Sequence, residues 1–292
     1  MEIIHCIICG KSNSVPFITL SDRLTDNVQT FQLVKCECNF VYLNPRPDSQ
    51  QISSYYQSSK YDPHNTINND GWAKMYRFIQ QVTMRWKYNK IVSIKPSGSV
   101  LDIGGGNGEF AVFMASKGWS VVLQDNISEV ANSNIDKNFE FVKDLRILKD
   151  EQKFDVITLW HSLEHIHNIK YLFDSLHNLL DDSGMLMIAV PNFNAPERSF
   201  YKHNWAPYDA PRHLYHFNLD RLNALCRKNG YDIIQKYSLF QDMPYNVLLS
   251  MPNYSLLQIL KASCVIAYSF LYTLCVGPNF SSSLLIVCKK SL

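Results

Sequence analysis

The chain has 292 residues, 46% of them hydrophobic, enough for a sizeable core in one large domain with or without a small companion. Its formal net charge of +2, with no basic run longer than Arg227-Lys228 or Lys289-Lys290, gives no electrostatic footprint for nucleic acid. Met1-Glu2-Ile3-Ile4-His5-Cys6 lacks the basic start and long apolar stretch of a signal peptide, so a cytoplasmic chain is expected, with its 8 Cys as thiols or metal ligands rather than disulfides.

Cys6-x-x-Cys9-Gly10-Lys11 opens the chain and Cys36-Glu37-Cys38 follows, the two pairs bracketing alternating segments such as Phe31 to Lys35 and Phe40 to Leu43. The order resembles a zinc ribbon, and a segment of this size builds no core without a staple. Residues 1–47 are therefore expected as a small module with structural zinc on Cys6, Cys9, Cys36 and Cys38; the plainer alternative is four reduced thiols. The one-residue spacing of the second pair is tighter than the usual two and strains the chelate. A polar, Tyr- and Ser-rich stretch from Asp48 to Asp70 is expected over a site mouth or as a lid. Trp72 to Ile94 reads as a helix with Met75, Phe78, Ile79, Val82 and Trp86 on one face, completing a unit at 48–95.

Val100-Leu101-Asp102-Ile103 then runs into Gly104-Gly105-Gly106-Asn107-Gly108 and a helix from Glu109 to Lys117. Strand, glycine turn and helix leave bare backbone against which a ligand can lie. A second acid, Asp125, ends the next apolar run, Ser120 to Gln124, where an acid suits the hydroxyls of a ribose. A dinucleotide site wants Gly or Ala where Glu109 stands, and puts a pyrophosphate on the helix N-terminus. Asp102 and Glu109 would repel that pyrophosphate but not S-adenosylmethionine, which carries a sulfonium and an ammonium. The bland reading is that both acids merely face the helix N-terminus.

Val100 to Phe110 resembles motif I of the class I S-adenosylmethionine-dependent methyltransferases. The resemblance continues through Asp125, Asp144, Phe154 to His165 and Gly184 to Asn192, covering about Tyr76 to Tyr237 with the last strand added. It implies an α/β fold: a doubly wound, seven-stranded, mostly parallel sheet of the Rossmann-like methyltransferase type. It further implies Asp102 near the methionine end of the cofactor, Gly104, Gly106 and Gly108 letting the cofactor pass, and Asp125 on the ribose. Asp144 and Leu145 would flank the adenine, and Trp160 and His161 would line the pocket at the end of the fourth strand. Gly105 replaces the family's usual Cys, a departure expected to be harmless. Related methyltransferases often carry a similar Cys module followed by a stretch like Tyr42 to Pro47.

His161-Ser162-Leu163-Glu164-His165 also matches the His-x-x-Glu-His pattern of zinc proteases, which needs both His on one helix face. The apolar strand before it places His161 at a strand end instead, with Glu164 and His165 shaping the next turn. A second cluster, Asp209 to Phe217, follows the fifth strand and an aromatic loop, where substrate is expected in open α/β folds. There His213 is the candidate base for a substrate hydroxyl, Arg212 the candidate anchor for a substrate anion, and loop anchoring the plainer role for His213 and His216. His161 is the second candidate catalytic residue.

The core, 96–237, is expected to close with Tyr231 to Tyr237 and a last strand in 283–292. Between them 238–282 forms an insertion whose segment Leu256 to Val276 carries one charge, Lys261. A membrane span is disfavoured because the next strand must return to the sheet. The remaining expectations for 255–277 are peripheral contact at the inner membrane face, a homodimer surface, or packing on the chain's own core. Taken together the reading is an S-adenosylmethionine-dependent methyltransferase (EC 2.1.1.-) acting on oxygen of a small molecule or a glycan or lipid-linked precursor. The alternatives are C-methylation of a nucleotide sugar and a non-catalytic cofactor-binding scaffold.

Overall fold

The computed structural model describes residues 1–24, 29–56, 70–126, 138–149 and 151–291, with side chains of the first helix from Gln80 onward. Met75, Phe78 and Ile79 of the expected stripe, and most of the expected lid, lie outside the described side chains. From the start of that lid, Ile52–Tyr56 forms one short 3-10 turn.

The strands Ser99–Ile103 (β4), Ser120–Gln124 (β5), Glu140–Val142 (β6), Phe154–Trp160 (β7), Leu180–Pro191 (β8), Tyr231–Ser238 (β10) and Ser283–Lys290 (β11) form one sheet in the order β10-β11-β8-β7-β4-β5-β6. The five strands from β8 to β6 run parallel, and β11 pairs antiparallel with both β8 and β10. β4, β7 and β8 are continuous Val-, Ile- and Leu-rich runs, as strands covered on both faces must be. Helices Asp70–Val92 (α1), Glu109–Ser116 (α2), Ile169–Leu179 (α3) and Leu219–Lys228 (α5) flank them. On α3, Ile169, Leu172, Phe173, Leu176 and Leu179 bury one face at three- and four-residue spacing. The strand order reverses beside β4, so the ends of β4, β5 and β7 open onto the crevice where ligands bind such sheets.

The Cys segment is tied into this body. Strands Ser14–Ser21 (β1), Thr30–Cys36 (β2) and Val41–Leu43 (β3) pair antiparallel, and β3 pairs in turn with Tyr215–His216 (β9), a piece of the core's own loop. Phe40 packs on Tyr42, Tyr215 and Phe217, and Arg46 donates to the Tyr215 hydroxyl at 2.7 Å. The insertion supplies Asp242–Leu249 (α6) and the long helix Leu256–Val276 (α7). A short helix, Glu197–Tyr201 (α4), precedes the aromatic loop leading to β9.

Candidate active site

The turn after β4 needs its glycines at particular places. Gly104, Gly106 and Gly108 hold φ of +70°, +55° and +75°, a region that side chains strain. A Cβ on Gly104 would lie 2.5 Å from Ser162 Cβ, whereas one on Gly106 would meet nothing within 4 Å, so Gly106 faces open space. The Gly106 amide donates to Asp125 Oδ2 at 2.8 Å, fastening the turn to the acid at the end of β5. Gly105, which stands where the family usually has Cys, is the residue that this packing requires. A Cβ there would stand 2.3 Å from Leu123 Cδ1 and 2.4 Å from Asp102 Oδ2, so any side chain forces the buried neighbours to move.

Asp102 is buried and accepts from Thr158 Oγ1 at 2.6 Å, while its other oxygen has no hydrogen-bond partner among the described residues. Burial pushes its carboxyl up to about 6, against the opposing pull of Thr158 and Lys87. The Lys87 ammonium lies 4.6 Å from the ring centre of Trp160 and 5.5 Å from that of Phe110. Desolvation lowers its pKa, and Asp102, Asp242 and Glu109 act against that. A half-buried cation held by an aromatic face among three carboxylates marks this crevice as one that takes positive charge. That charge preference fits the sulfonium and ammonium of S-adenosylmethionine.

Asp144 stands off from this group. It caps the short turn Leu145–Ile147, accepts from the Arg146 amide and guanidinium, and receives the Tyr171 hydroxyl. The Arg146 guanidinium beside it holds the carboxyl down at about 2. Leu145 is buried next to it. Trp160 ends β7 with its indole N–H buried and without a partner.

His161 takes φ +54° immediately after β7, and Leu163–His165 is a 3-10 turn. The two His of the protease pattern therefore do not share a helix face. His161 Nε2 lies 2.8 Å from Asp242 Oδ2 and its Nδ1 lies 3.6 Å from Glu164 Oε1. Desolvation alone would lower its pKa; Asp242 outweighs that and lifts it to about 10. His161 is thus an imidazolium at neutral pH, suited to orienting a negative group and unable to accept a proton. Asp242, on the inserted helix α6, carries no motif that would have singled it out.

Beyond His161 a second group converges. Glu164 is buried, with neither carboxylate oxygen hydrogen bonded among the described residues. The rings of His165 and His213 meet edge to face, 4.7 Å apart. His213 Nδ1 lies 2.7 Å from the Pro207 carbonyl and His165 Nδ1 lies 3.0 Å from the Arg212 carbonyl. A carbonyl only accepts, so the His213 Nδ1 carries the proton and its Nε2 is left as an acceptor, whereas the His165 Nδ1 is shared between the Arg212 carbonyl and the Tyr56 hydroxyl. Burial and the neighbouring His213 push His165 down to about 4. The Tyr56 hydroxyl also reaches His165, at 3.0 Å.

Arg212 is not available to a substrate. Its side chain is 0% exposed and donates to Asp22 at 2.7 and 3.2 Å, to Asp209 at 2.7 to 3.1 Å and to the Tyr55 carbonyl at 3.1 Å. It anchors the loop that presents His213. His216, in β9, is buried, and burial pushes its pKa far down, which suits a packed neutral ring. A cleft of about 720 Å³ beside α3, lined by residues such as Arg46, His167 and Asp174, contains none of these groups.

At the other end, Cys6, Cys9, Cys36 and Cys38 bring their sulfurs within 4.8 Å of one another, with Cys6–Cys38 at 3.5 Å and Cys9–Cys36 at 3.4 Å. A tetrahedral zinc with its ordinary sulfur bonds separates the sulfurs by about 3.8 Å, so four thiolates in this cluster fit the ion. The short Cys36–Cys38 spacing is accommodated by Asn39 at φ +65°, whose amide closes the turn on the Cys36 carbonyl. Asn is among the few residues that take this conformation readily.

The family model described as a methyltransferase domain matches residues 72–236. The chain belongs to this methyltransferase family. S-adenosylmethionine is the cofactor for which the glycine turn and its acids are suited. Among curated relatives, the methyltransferase is 27% identical over 155 residues to the ubiquinone biosynthesis O-methyltransferase of Rickettsia felis, a match covering 50% of this chain and 62% of that protein. With the enzyme of that name from Rickettsia canadensis the identity is 23% over 218 residues, covering 68% and 89%. Among solved structures, the cyclase SpnF aligns with a TM-score of 0.50 at 14% identity over 73% of this chain and 82% of that one, a likeness of fold. The 1,6-didemethyltoxoflavin-N1-methyltransferase of Burkholderia thailandensis aligns at 15% identity, covering 92% and 98%, with a TM-score of 0.49.

Proposed function

We propose that this methyltransferase moves the methyl group of S-adenosylmethionine to a hydroxyl oxygen of a small molecule or glycan precursor carried at a membrane surface. The observation that carries the reading is His213, whose Nδ1–H is held by the Pro207 carbonyl, leaving Nε2 as its proton acceptor, with one ring nitrogen within 4.8 Å of Glu164 and His165. In the step, the acceptor oxygen forms a bond to the methyl carbon as the carbon–sulfur bond breaks. The electron pair returns to sulfur, leaving S-adenosylhomocysteine, and the hydroxyl proton passes to His213 Nε2. Alignment supplies much of the acceleration in such an in-line displacement. Asp102 is assigned to the methionine end of the cofactor and Asp125 to its ribose. Two curated relatives named as O-methyltransferases support the choice of oxygen.

The membrane part rests on α7. Its 21 residues have a mean hydropathy of 1.7, with only 22% of the most apolar stretch buried. It turns Ala262, Val265, Ser269 and Thr273 inward, and exposes Leu256, Leu257, Leu260, Leu271 and Leu274, each more than half exposed. Each such leucine gains about 1.5–3 kcal/mol on leaving water. β11 returns directly to the soluble sheet, so the helix lies along an interface rather than across one.

The test is transfer of labelled methyl to hydroxyl acceptors offered in solution and in phospholipid vesicles. Transfer to oxygen, strongest on vesicles, lost in His213→Ala and reduced to the soluble rate in Leu257→Glu/Leu271→Glu, is the expected result. Methylation at carbon, or cofactor binding without turnover on either presentation, would sink the O-methylation reading. Equal rates on both presentations and a dimer that dissociates in the double variant would assign α7 to self-association instead.

Asp102 adds a pH signature. Its raised carboxyl is protonated below about 6 in the free protein, and a cationic cofactor favours the ionised form. S-adenosylmethionine affinity is therefore expected to hold above that pH and to fall about tenfold per unit below it. Calorimetry on Asp102→Asn should show a weaker and pH-flat affinity; an equally steep fall in that variant would place the titration elsewhere.

A further inference from the structure

Glu164, His165 and His213 are arranged in a way that a single proton acceptor does not require. One ligand atom from each lies within 4.8 Å of the other two. Both imidazoles have Nδ1 fixed by an outer contact, the Pro207 carbonyl for His213 and the Arg212 carbonyl with the Tyr56 hydroxyl for His165. That is the outer contact that orients a metal-bound His and leaves Nε2 to bind. The Glu164 side chain is 1% exposed, and among the described residues neither oxygen has a hydrogen-bond donor. A buried carboxylate in that state is costly unless a cation meets it. His161, at 3.6 Å, is already engaged with Asp242 at 2.8 Å and meets only one of the two oxygens.

We propose that Glu164, His165 and His213 form a binding site for a divalent first-row transition-metal cation. Two imidazoles and one carboxylate select an ion of the zinc, iron, manganese or cobalt type over calcium or magnesium, which prefer oxygen throughout. Three protein ligands also leave coordination positions open, the mark of a site that takes a small molecule rather than a structural one. The backbone is set for it: the Leu214 amide donates to the Glu164 carbonyl at 2.8 Å, pinning the two ligand-bearing segments together. The buried Arg212 ion pairs hold the residue before His213. The catalytic consequence rests on the O-methylation reading: an acceptor hydroxyl on the ion would lose its proton more readily, to solvent water, and His213 would then serve as ligand in place of its role as base. The binding itself does not rest on that reading.

The test uses the full chain with zinc loaded first on the Cys cluster, then titrated with Co²⁺ and followed by visible absorption and elemental analysis. A second metal equivalent with ligand-field bands free of thiolate charge transfer is expected. Its affinity should fall by at least about 100-fold in the isosteric Glu164→Gln and in His213→Ala, since even outer contacts are worth 10–100-fold. Retained S-adenosylhomocysteine binding confirms that the variants fold. The absence of a second equivalent in the unmodified protein overturns the site, with no reference to the variants. Binding that persists unchanged in both variants overturns it as well. Hydroxyl turnover by a protein that takes up no second metal sinks the cation site and keeps the O-methylation reading; a bound second metal without hydroxyl turnover does the reverse.

Discussion

Arg212→Met is expected to destabilise the fold by about 3–5 kcal/mol, the cost of leaving a buried ion pair half removed. The guanidinium joins three pieces of chain far apart in sequence: Asp22 at the end of β1, the Tyr55 carbonyl, and Asp209 at the start of its own loop. With the arginine gone, the Asp22 carboxylate, 1% exposed, is buried without its cation. Arg212→Lys is expected to recover little, because one ammonium cannot make the two-pronged contacts with both carboxylates. Asp22→Asn added to Arg212→Met removes one stranded charge and should restore part of the loss. Urea denaturation with the four proteins gives the answer; a cost under about 1 kcal/mol for Arg212→Met would mean that the loop holds itself without the arginine. Because His213 follows directly, methyl transfer should fall further than cofactor binding in every variant that loosens the loop.

The cofactor half of the site was legible because its signals are local. Apolar runs mark β4, β5 and β7, acids close the first two, and Gly104, Gly106 and Gly108 stand where φ is positive. The acceptor half is built from partners that no spacing announces. Asp242 reaches His161 from an insertion, and Asp22 reaches Arg212 across 190 residues of chain. Periodicity reports that a face is buried, not which distant charge it meets. The same limit made Arg212 read as a substrate anchor, since an arginine in a loop looks free until its partners are placed. Gly105 shows a smaller version. Its φ is ordinary, and its need for no side chain comes from Leu123 and Asp102 packing above it. The four Cys were readable as a set, while the residue that relieves their tight spacing, Asn39, follows them unremarked.

Stripping metal from the Cys cluster, or replacing Cys6 and Cys36 by Ser, is expected to abolish acceptor methylation while leaving S-adenosylhomocysteine binding largely intact. A structural zinc contributes its binding free energy, about 10–16 kcal/mol in small zinc modules, directly to folding. Cys6 and Cys36 are buried at one end of the small sheet, whose strands β1 to β3 also bury Leu20, Phe31, Leu33, Val41, Tyr42 and Leu43, so the metal adds to this packing. The consequence travels through β3. It pairs with β9, whose strand follows directly on Arg212, His213 and Leu214, and the Leu43 amide donates to the Leu214 carbonyl at 2.9 Å. Loss of the module therefore frees the loop that presents His213 and removes Asp22 from Arg212. The glycine turn, Asp102 and Asp125 lie on the other sheet and keep their supports. Calorimetry and labelled-methyl turnover on the same chelated sample separate the two halves. Turnover that survives complete metal removal would reduce the four Cys to ordinary thiols, and equal loss of cofactor binding would show that the two sheets fold as one unit.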